Sequence, residues 1–168
     1  MRYAGIDTCD VVNGEGVGIC LYTQGCPHHC EGCFNPETWD YNSGKLFTEN
    51  EKNEILEAID KSYISRFSLL GGEPLIKENI DALIKLIDEI KDIKPDISVW
   101  CWTGYSIEEL LNDKDYDNIL SKIDILVDGE FILSQKALDI AFRGSKNQRI
   151  IDVQKTIRNK QITIIDTY

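Results

Sequence analysis

Cys26, Cys30 and Cys33 lie within residues 25–34, Gly-Cys-Pro-His-His-Cys-Glu-Gly-Cys-Phe, separated by three residues and then by two. Three thiolates this close on one loop can wrap a single inorganic centre, and their softness selects zinc, copper(I) or an iron–sulfur cluster over magnesium or calcium. The number of ligands is informative too. A structural zinc ion is normally closed by four protein ligands, whereas a cubane with three thiolates keeps one iron open to a ligand that is not protein. His28 or His29 would complete a zinc site of three cysteines and one histidine, so on these ten residues zinc and a cluster both fit.

The elements around the loop must hold it against other polar groups. Val17 to Thr23, just before it, is a short, mostly apolar run, the pattern of a buried strand, so the loop follows that strand's C-terminal end. Upstream, Asn13-Gly14 between apolar stretches predicts a hairpin or sharp turn. Thr48-Glu-Asn-Glu51 is a capping box, and the helix it opens, ending near Lys61, carries Ile55, Leu56 and Ile59 on one face. Arg66 to Leu70 reads as a second strand. It ends in Gly71-Gly72-Glu73-Pro74, where glycines let backbone approach a ligand and proline stops the ladder. From Asn79, Ile80, Leu83, Ile84, Ile87 and Ile90 recur at helical spacing, and Lys91, Lys94 and Pro95 close that helix. Ile97 to Trp102 is a third strand followed by Thr103-Gly104. Ser106-Ile-Glu-Glu109 then caps a short helix, and the helical pattern resumes at Tyr116, Ile119, Leu120 and Ile123. Ile125 to Val127 is a fourth strand and runs into Asp128-Gly129-Glu130.

Strand and helix thus alternate four times, which requires right-handed crossovers and a parallel sheet. Four units fit an open, curved part-barrel of the TIM type better than the eight units of a closed one. The expected organisation is a single α/β domain over residues 1–168, with an N-terminal turn or hairpin (1–16), a βα core (17–131) carrying the cysteine loop (25–34), and a C-terminal extension (132–168). The tail after Asp152, with Ile162, Ile164 and Ile165, reads as an edge strand or a docking segment. Because parallel strands put their C-termini on one rim, the cysteine loop, Gly71-Gly72-Glu73, Thr103-Gly104 and Asp128-Gly129-Glu130 converge where α/β proteins bind ligands. That convergence favours catalysis over a structural zinc knuckle.

At 168 residues and 42% hydrophobic content the chain supports one core. No apolar run approaches the roughly 20 residues needed to cross a bilayer, and the N-terminal residues lack a signal-peptide h-region. The expectation is a cytoplasmic protein with no membrane partner. In that compartment the six cysteines argue for reduced thiols and metal ligation over disulfides, with Cys9, Cys20 and Cys101 read as small buried hydrophobes. The formal charge of −11 repels phosphate backbones and argues against nucleic acid as a partner.

The sequence resembles the radical S-adenosylmethionine enzymes through Cys26-x-x-x-Cys30-x-x-Cys33 after the first strand and Gly71-Gly72-Glu73-Pro74 after the second. Within them it is similar to the glycyl-radical activating proteins of anaerobic ribonucleoside-triphosphate reductases. The similar stretches are Asp10-Val-Val-Asn-Gly14, Gly25 to Cys33, Thr38-Trp39 with Asn42-Ser43-Gly44, and Gly71 to Pro74. Trp102-Thr103-Gly104-Tyr105, Leu126-Val127-Asp128-Gly129, Arg143-Gly144-Ser145 and Asn147-Gln148 extend them to about residue 150.

The resemblance implies a [4Fe–4S] cluster on Cys26, Cys30 and Cys33, with the amine and carboxylate of S-adenosylmethionine on the fourth iron. It implies that Gly71, Gly72, Glu73 and Pro74 bind that cofactor, with Glu73 an acceptor suited to its ammonium group. Phe34 would cover the adenine. Thr103 and Asp128 would line the cofactor, although an ST-turn at Thr103 and an Asx-turn at Asp128 explain these residues equally well. His28 and His29 are then loop donors, and Arg143 to Gln148, polar and matched, has no specific role beyond positioning backbone near the partner. The implied activity is electron transfer from the reduced cluster to the sulfonium, release of a 5′-deoxyadenosyl radical, and removal of hydrogen from a glycine of the reductase. A flavodoxin or ferredoxin would supply the electron. Two other readings stay open: a small radical enzyme acting on a free metabolite, and a zinc module that only binds a partner. Gly-Gly-Glu-Pro on the same rim stands against the second, and the matched stretches beyond the cysteine loop stand against the first.

Overall fold

The computed structural model describes residues 1–167. Its elements in chain order are β1 (Arg2–Asp10), β2 (Val17–Thr23), β3 (Lys45–Leu46), α1 (Glu49–Ile59), β4 (Ile64–Gly71), α2 (Lys77–Ile93) and β5 (Ser98–Trp102). They continue with α3 (Ile107–Leu111), α4 (Asp117–Leu120), β6 (Ile125–Asp128), β7 (Arg149–Asp152) and α5 (Val153–Asn159). The strands form one open sheet in the order β3-β1-β2-β4-β5-β6-β7.

The four strands read from the sequence, β2, β4, β5 and β6, are the parallel centre of this sheet. The expectation of a parallel sheet holds only there. β1 pairs antiparallel with β2, β3 with β1, and β7 with β6, so the sheet is mixed. The reason is connectivity. A short loop joins β1 to β2, and such a loop can close only an antiparallel pair, whereas each step between the central strands has a helix to carry it back. The tail does add to an edge: Ile164 bridges Ile151, and the Ile165 amide donates to the Ile150 carbonyl.

Side-chain alternation along the central strands sorts two environments. Ile19, Leu21, Phe67, Leu69, Val99, Cys101 and Leu126 face the helices, meeting Ile55 and Ile59 of α1 and Ile80, Leu83, Ile87 and Ile90 of α2. Each large aliphatic side chain buried there contributes roughly 1.5–3 kcal/mol. Both capping boxes form. Thr48 and Glu51 close the start of α1, and Ser106 and Glu109 close the start of α3. The intervening positions, Arg66, Ser68, Trp100 and Val127, face the other side, where the loop at 11–16 and the segment around Phe142 cover them.

Arg66 is the largest surprise of that second face. It is 0% exposed, and its guanidinium pairs with Asp10 at 2.7 Å. It also donates to the carbonyls of Asp10, Asn13 and Glu15 and to the Ser68 hydroxyl. Gly14, at φ +113°, and Gly18 leave the space it fills, since a Cβ at either would lie within 2.6 Å of the arginine. Asn13-Gly14 lies in the connection of the β1–β2 hairpin, as the sequence suggested, and that connection is also the collar of a buried cation.

Cys20 and Cys101 are buried as expected, but Cys9 is exposed. Cys9 stands two residues after Asp7, which is also exposed, so strand alternation puts both side chains toward solvent.

Candidate functional site

The C-terminal ends of β2, β4, β5 and β6 open on one cleft of about 520 Å³. Cys26, Cys30, Cys33, Phe34, Gly71, Gly72, Glu73 and Thr103 all line it, so the structure brings together eight of the residues singled out in the sequence. Pro74 and Asp128 are not among its lining residues. Asp128 is buried, accepts from the Ile107 amide at 2.8 Å and from Arg149 Nε at 3.0 Å, and so ties β6 to α3 and β7. Arg149 reaches on to Glu108 with two hydrogen bonds of 2.9 and 2.7 Å.

The cysteine loop leaves β2 through Gly25, at φ +93°, and is stitched to the segment after it. The Gly25 amide donates to the Thr38 carbonyl at 2.8 Å and the Cys26 amide to the Trp39 carbonyl at 3.2 Å. The Gly-Gly-Glu strand end runs alongside. Gly72 donates to the Thr23 carbonyl at 2.9 Å and Glu73 to the Gly25 carbonyl at 2.8 Å. A Cβ on Gly72 would stand 2.4 Å from the Gly25 oxygen, and one on Gly71, at φ +102°, 2.5 Å from the Thr23 nitrogen. These glycines are required because two backbones meet here, one of them carrying the cysteines.

The three sulfurs sit in surroundings that suit thiolate ligands. Burial pushes the Cys26 thiol up to about 11, and the His28 and His29 amides, which hydrogen-bond its sulfur, work against that rise. Burial raises Cys30 as well, opposed by the Phe131 amide, and the Asn35 amide donates to Cys33 Sγ at 3.4 Å. Amide donors to thiolate sulfur are a principal means by which protein tunes an iron–sulfur centre. Trp39, another lining residue, keeps a buried indole N–H without an acceptor among the described residues. Among the described residues no three His, Cys, Asp or Glu side chains converge enough to hold one metal ion. A cubane, unlike a single ion, takes each thiolate at a separate corner, and a loop of three cysteines with directed amides fits it.

Glu73 is 0% exposed and its carboxylate is fully engaged. Oε1 accepts from the Leu75 amide at 2.9 Å and the Thr103 hydroxyl at 2.8 Å. Oε2 accepts from the Gly104 amide at 2.8 Å and meets His28 Nε2 at 2.9 Å. Thr103 forms the ST-turn as well, its Oγ1 accepting from the Tyr105 amide at 3.1 Å. His28 contacts a second carboxylate through its other nitrogen, with Nδ1 3.0 Å from Glu130 Oε1. Burial opposes charge on this imidazole, but Glu73 and Glu130 outweigh it and raise its pKa. His29, at φ +49°, instead packs its ring edge-on against Trp39 at 4.9 Å.

On the far wall Phe34 is 57% exposed, lies 5.2 Å from the Phe131 ring and carries Lys136 Nζ at 5.0 Å over its face. Arg143 to Gln148 acquires a role here that the sequence did not disclose. Gln148 donates to the Gly129 carbonyl at 2.9 Å and Asn147 to the Glu130 carbonyl at 2.8 Å, so the segment braces the loop after β6. Among the described residues no helix is long and apolar enough to cross a membrane.

A family model described as a 4Fe-4S single cluster domain matches residues 12–151, a span that contains the cysteine loop and every strand end around it. The chain is 38% identical over 152 residues to the anaerobic ribonucleoside-triphosphate reductase-activating protein of Haemophilus influenzae, covering 89% of this chain and 97% of that protein. It is 39% identical over 152 residues to the protein of the same name from Vibrio cholerae, with the same coverage of both. The Escherichia coli protein of that name is 37% identical over 150 residues, covering 88% of this chain and 96% of its own length.

Proposed function

The chain belongs to the family of anaerobic ribonucleoside-triphosphate reductase-activating proteins, and from that premise we propose that it is a radical S-adenosylmethionine activase for such a reductase. The observation that carries this reading is the shared cleft, where Cys26, Cys30 and Cys33 face Gly71, Gly72 and Glu73 across the ends of adjacent parallel strands. Cys26, Cys30 and Cys33 would hold the [4Fe–4S] cluster. When bound, the cluster and S-adenosylmethionine supply a one-electron cleavage that yields a 5′-deoxyadenosyl radical, which takes hydrogen from a glycine of the reductase.

This chain's own residues bind, orient and shield. The cysteine loop is held at two backbone levels, by Thr38 and Trp39 on one side and by the Gly71-Gly72-Glu73 strand end on the other. Gly71 and Gly72 present backbone to the cleft, which suits the methionyl end of the cofactor, and Phe34 and Phe131 offer an apolar wall for its adenine. The four central strands lie in chain order with their helices on one face, and we read them as part of a TIM-like barrel. A cleft left open by a partial barrel suits a protruding loop of another protein. Both ring nitrogens of His28 are taken by carboxylates and His29 packs on Trp39, which disfavours the zinc reading. In the cytoplasm the electron would come from a flavodoxin or ferredoxin.

Anaerobic reconstitution tests the proposal. Iron and sulfide should be incorporated in equal amounts and give a visible spectrum that changes on adding S-adenosylmethionine. Zinc bound in place of iron, with no response to the cofactor, would overturn it.

A further inference from the structure

Glu73 poses a problem of valence. An ionised carboxylate has about four lone-pair positions, and Leu75, Thr103, Gly104 and His28 take all four. Three of these donors belong to the ends of β4 and β5. The fourth arrives from the cysteine loop, midway between Cys26 and Cys30, and it has a dedicated slot. Gly104 is a glycine at the one place where a Cβ would lie 2.5 Å from the imidazole. Tyr105 meets the ring edge-on at 4.7 Å, and Glu130 holds its far nitrogen. Glu130 is in turn held by Asn147 through its carbonyl.

We infer that His28 is a positioning residue, a clamp that sets the cysteine loop against the ends of β4, β5 and β6, and that Glu73 acts through it. The inference rests on the activase reading. On this view Glu73 is not the acceptor for the methionyl ammonium. Its carboxylate is consumed in fixing where the loop stands relative to the Gly71-Gly72 backbone, and the cofactor's affinity depends on that spacing. His28 is tied at both ends, so loosening it should disturb the geometry between loop and cofactor without removing a ligand.

The test compares wild type, His28→Ala, His28→Gln and Glu130→Gln after anaerobic reconstitution. It reads iron per chain, the isotherm for S-adenosylmethionine, and the electron paramagnetic resonance spectrum of the reduced cluster with and without the cofactor. In His28→Ala the iron content should be retained, affinity should fall by about tenfold, and the cofactor-induced spectral change should broaden or shrink. His28→Gln, whose amide can still donate to Glu73, should recover part of both. Glu130→Gln removes charge from an exposed side chain and should move the same readouts less. If His28→Ala binds the cofactor as tightly as wild type, or more tightly, the imidazole merely blocks an acceptor meant for the ammonium, and the clamp is overturned. Loss of iron in His28→Ala would make His28 a ligand and overturn it equally. A wild-type protein with no cluster would instead bring down the activase reading, and the clamp with it.

Discussion

Replacing any one of Cys26, Cys30 or Cys33 by alanine is expected to strip the reconstituted protein of iron, while alanine at Cys9, Cys20 or Cys101 leaves its iron content intact. The two groups differ in surroundings as well as in spacing. The first three line the cleft, and loop amides hydrogen-bond their sulfurs. Cys101 is sealed against the helices, where burial pushes its thiol well up. Cys20 is buried beside Asp10 and Arg66, its thiol pushed up to about 12 chiefly by burial. Cys9 is solvent-exposed on an edge of β1. Removing a residue behind a metal ligand typically costs 10–100-fold in affinity, so removing a ligand itself should exceed about tenfold. Iron and sulfide analysis of the six single variants decides the matter. Iron lost from Cys101→Ala with its fold intact would contradict the assignment.

The largest expected effect on stability lies away from the cleft chemistry. Arg66→Met should destabilise the apoprotein by about 3–5 kcal/mol, because it leaves the Asp10 carboxylate buried without its cation. That is a large share of the 5–15 kcal/mol typical of a domain. It also releases the carbonyls of Asn13 and Glu15, so the loop at 11–16, which contributes Val12 and Asn13 to the cleft, should loosen. Lysine should not substitute, since a single ammonium cannot reproduce a planar fork of donors. The double variant Arg66→Met with Asp10→Asn should regain part of the loss, because no unpaired charge remains. The pair also predicts a pH dependence. Burial opposes the charge on Asp10, but the Asn13 amide and Arg66 prevail and hold its pKa below the ordinary value of about 3.9. A carboxylate lowered on folding contributes fully above its unfolded pKa and loses that contribution as pH falls through the folded one. The stability gap between wild type and Arg66→Met should therefore narrow in acid. Urea unfolding at several pH values measures it, and equal midpoints at neutral pH would remove the pair from the account.

Arg66 also marks what the sequence could and could not say. The run Arg-Phe-Ser-Leu-Leu is legible as a strand, and its alternation puts Arg66 and Ser68 opposite Phe67 and Leu69. Nothing local says whether the polar side meets water or a loop from the N-terminus, because that depends on a pairing between residues more than fifty positions apart. The same limit explains β1, β3 and β7, which are set by partners and not by their own pattern. Elements with local determinants were readable. The capping boxes at Thr48 and Ser106, the apolar face of α2 and the four parallel strands all formed. In the cleft, cysteine spacing and the double glycine were legible as chemistry. That Gly72 is needed for the Gly25 carbonyl, that Glu73 divides its acceptors among Leu75, Thr103, Gly104 and His28, and that Gln148 braces Gly129 become visible only once the strand ends are side by side.

On the proposed activase function, this cleft delivers a radical to a glycine on another protein. Electron paramagnetic resonance of the anaerobically reduced protein with S-adenosylmethionine, recorded with and without an anaerobic ribonucleoside-triphosphate reductase, tests it most directly. A glycyl doublet is expected only when the reductase is present, with 5′-deoxyadenosine and methionine formed alongside. A protein that holds its cluster and cleaves the cofactor, yet leaves no radical on the reductase while turning over a free metabolite, would contradict it.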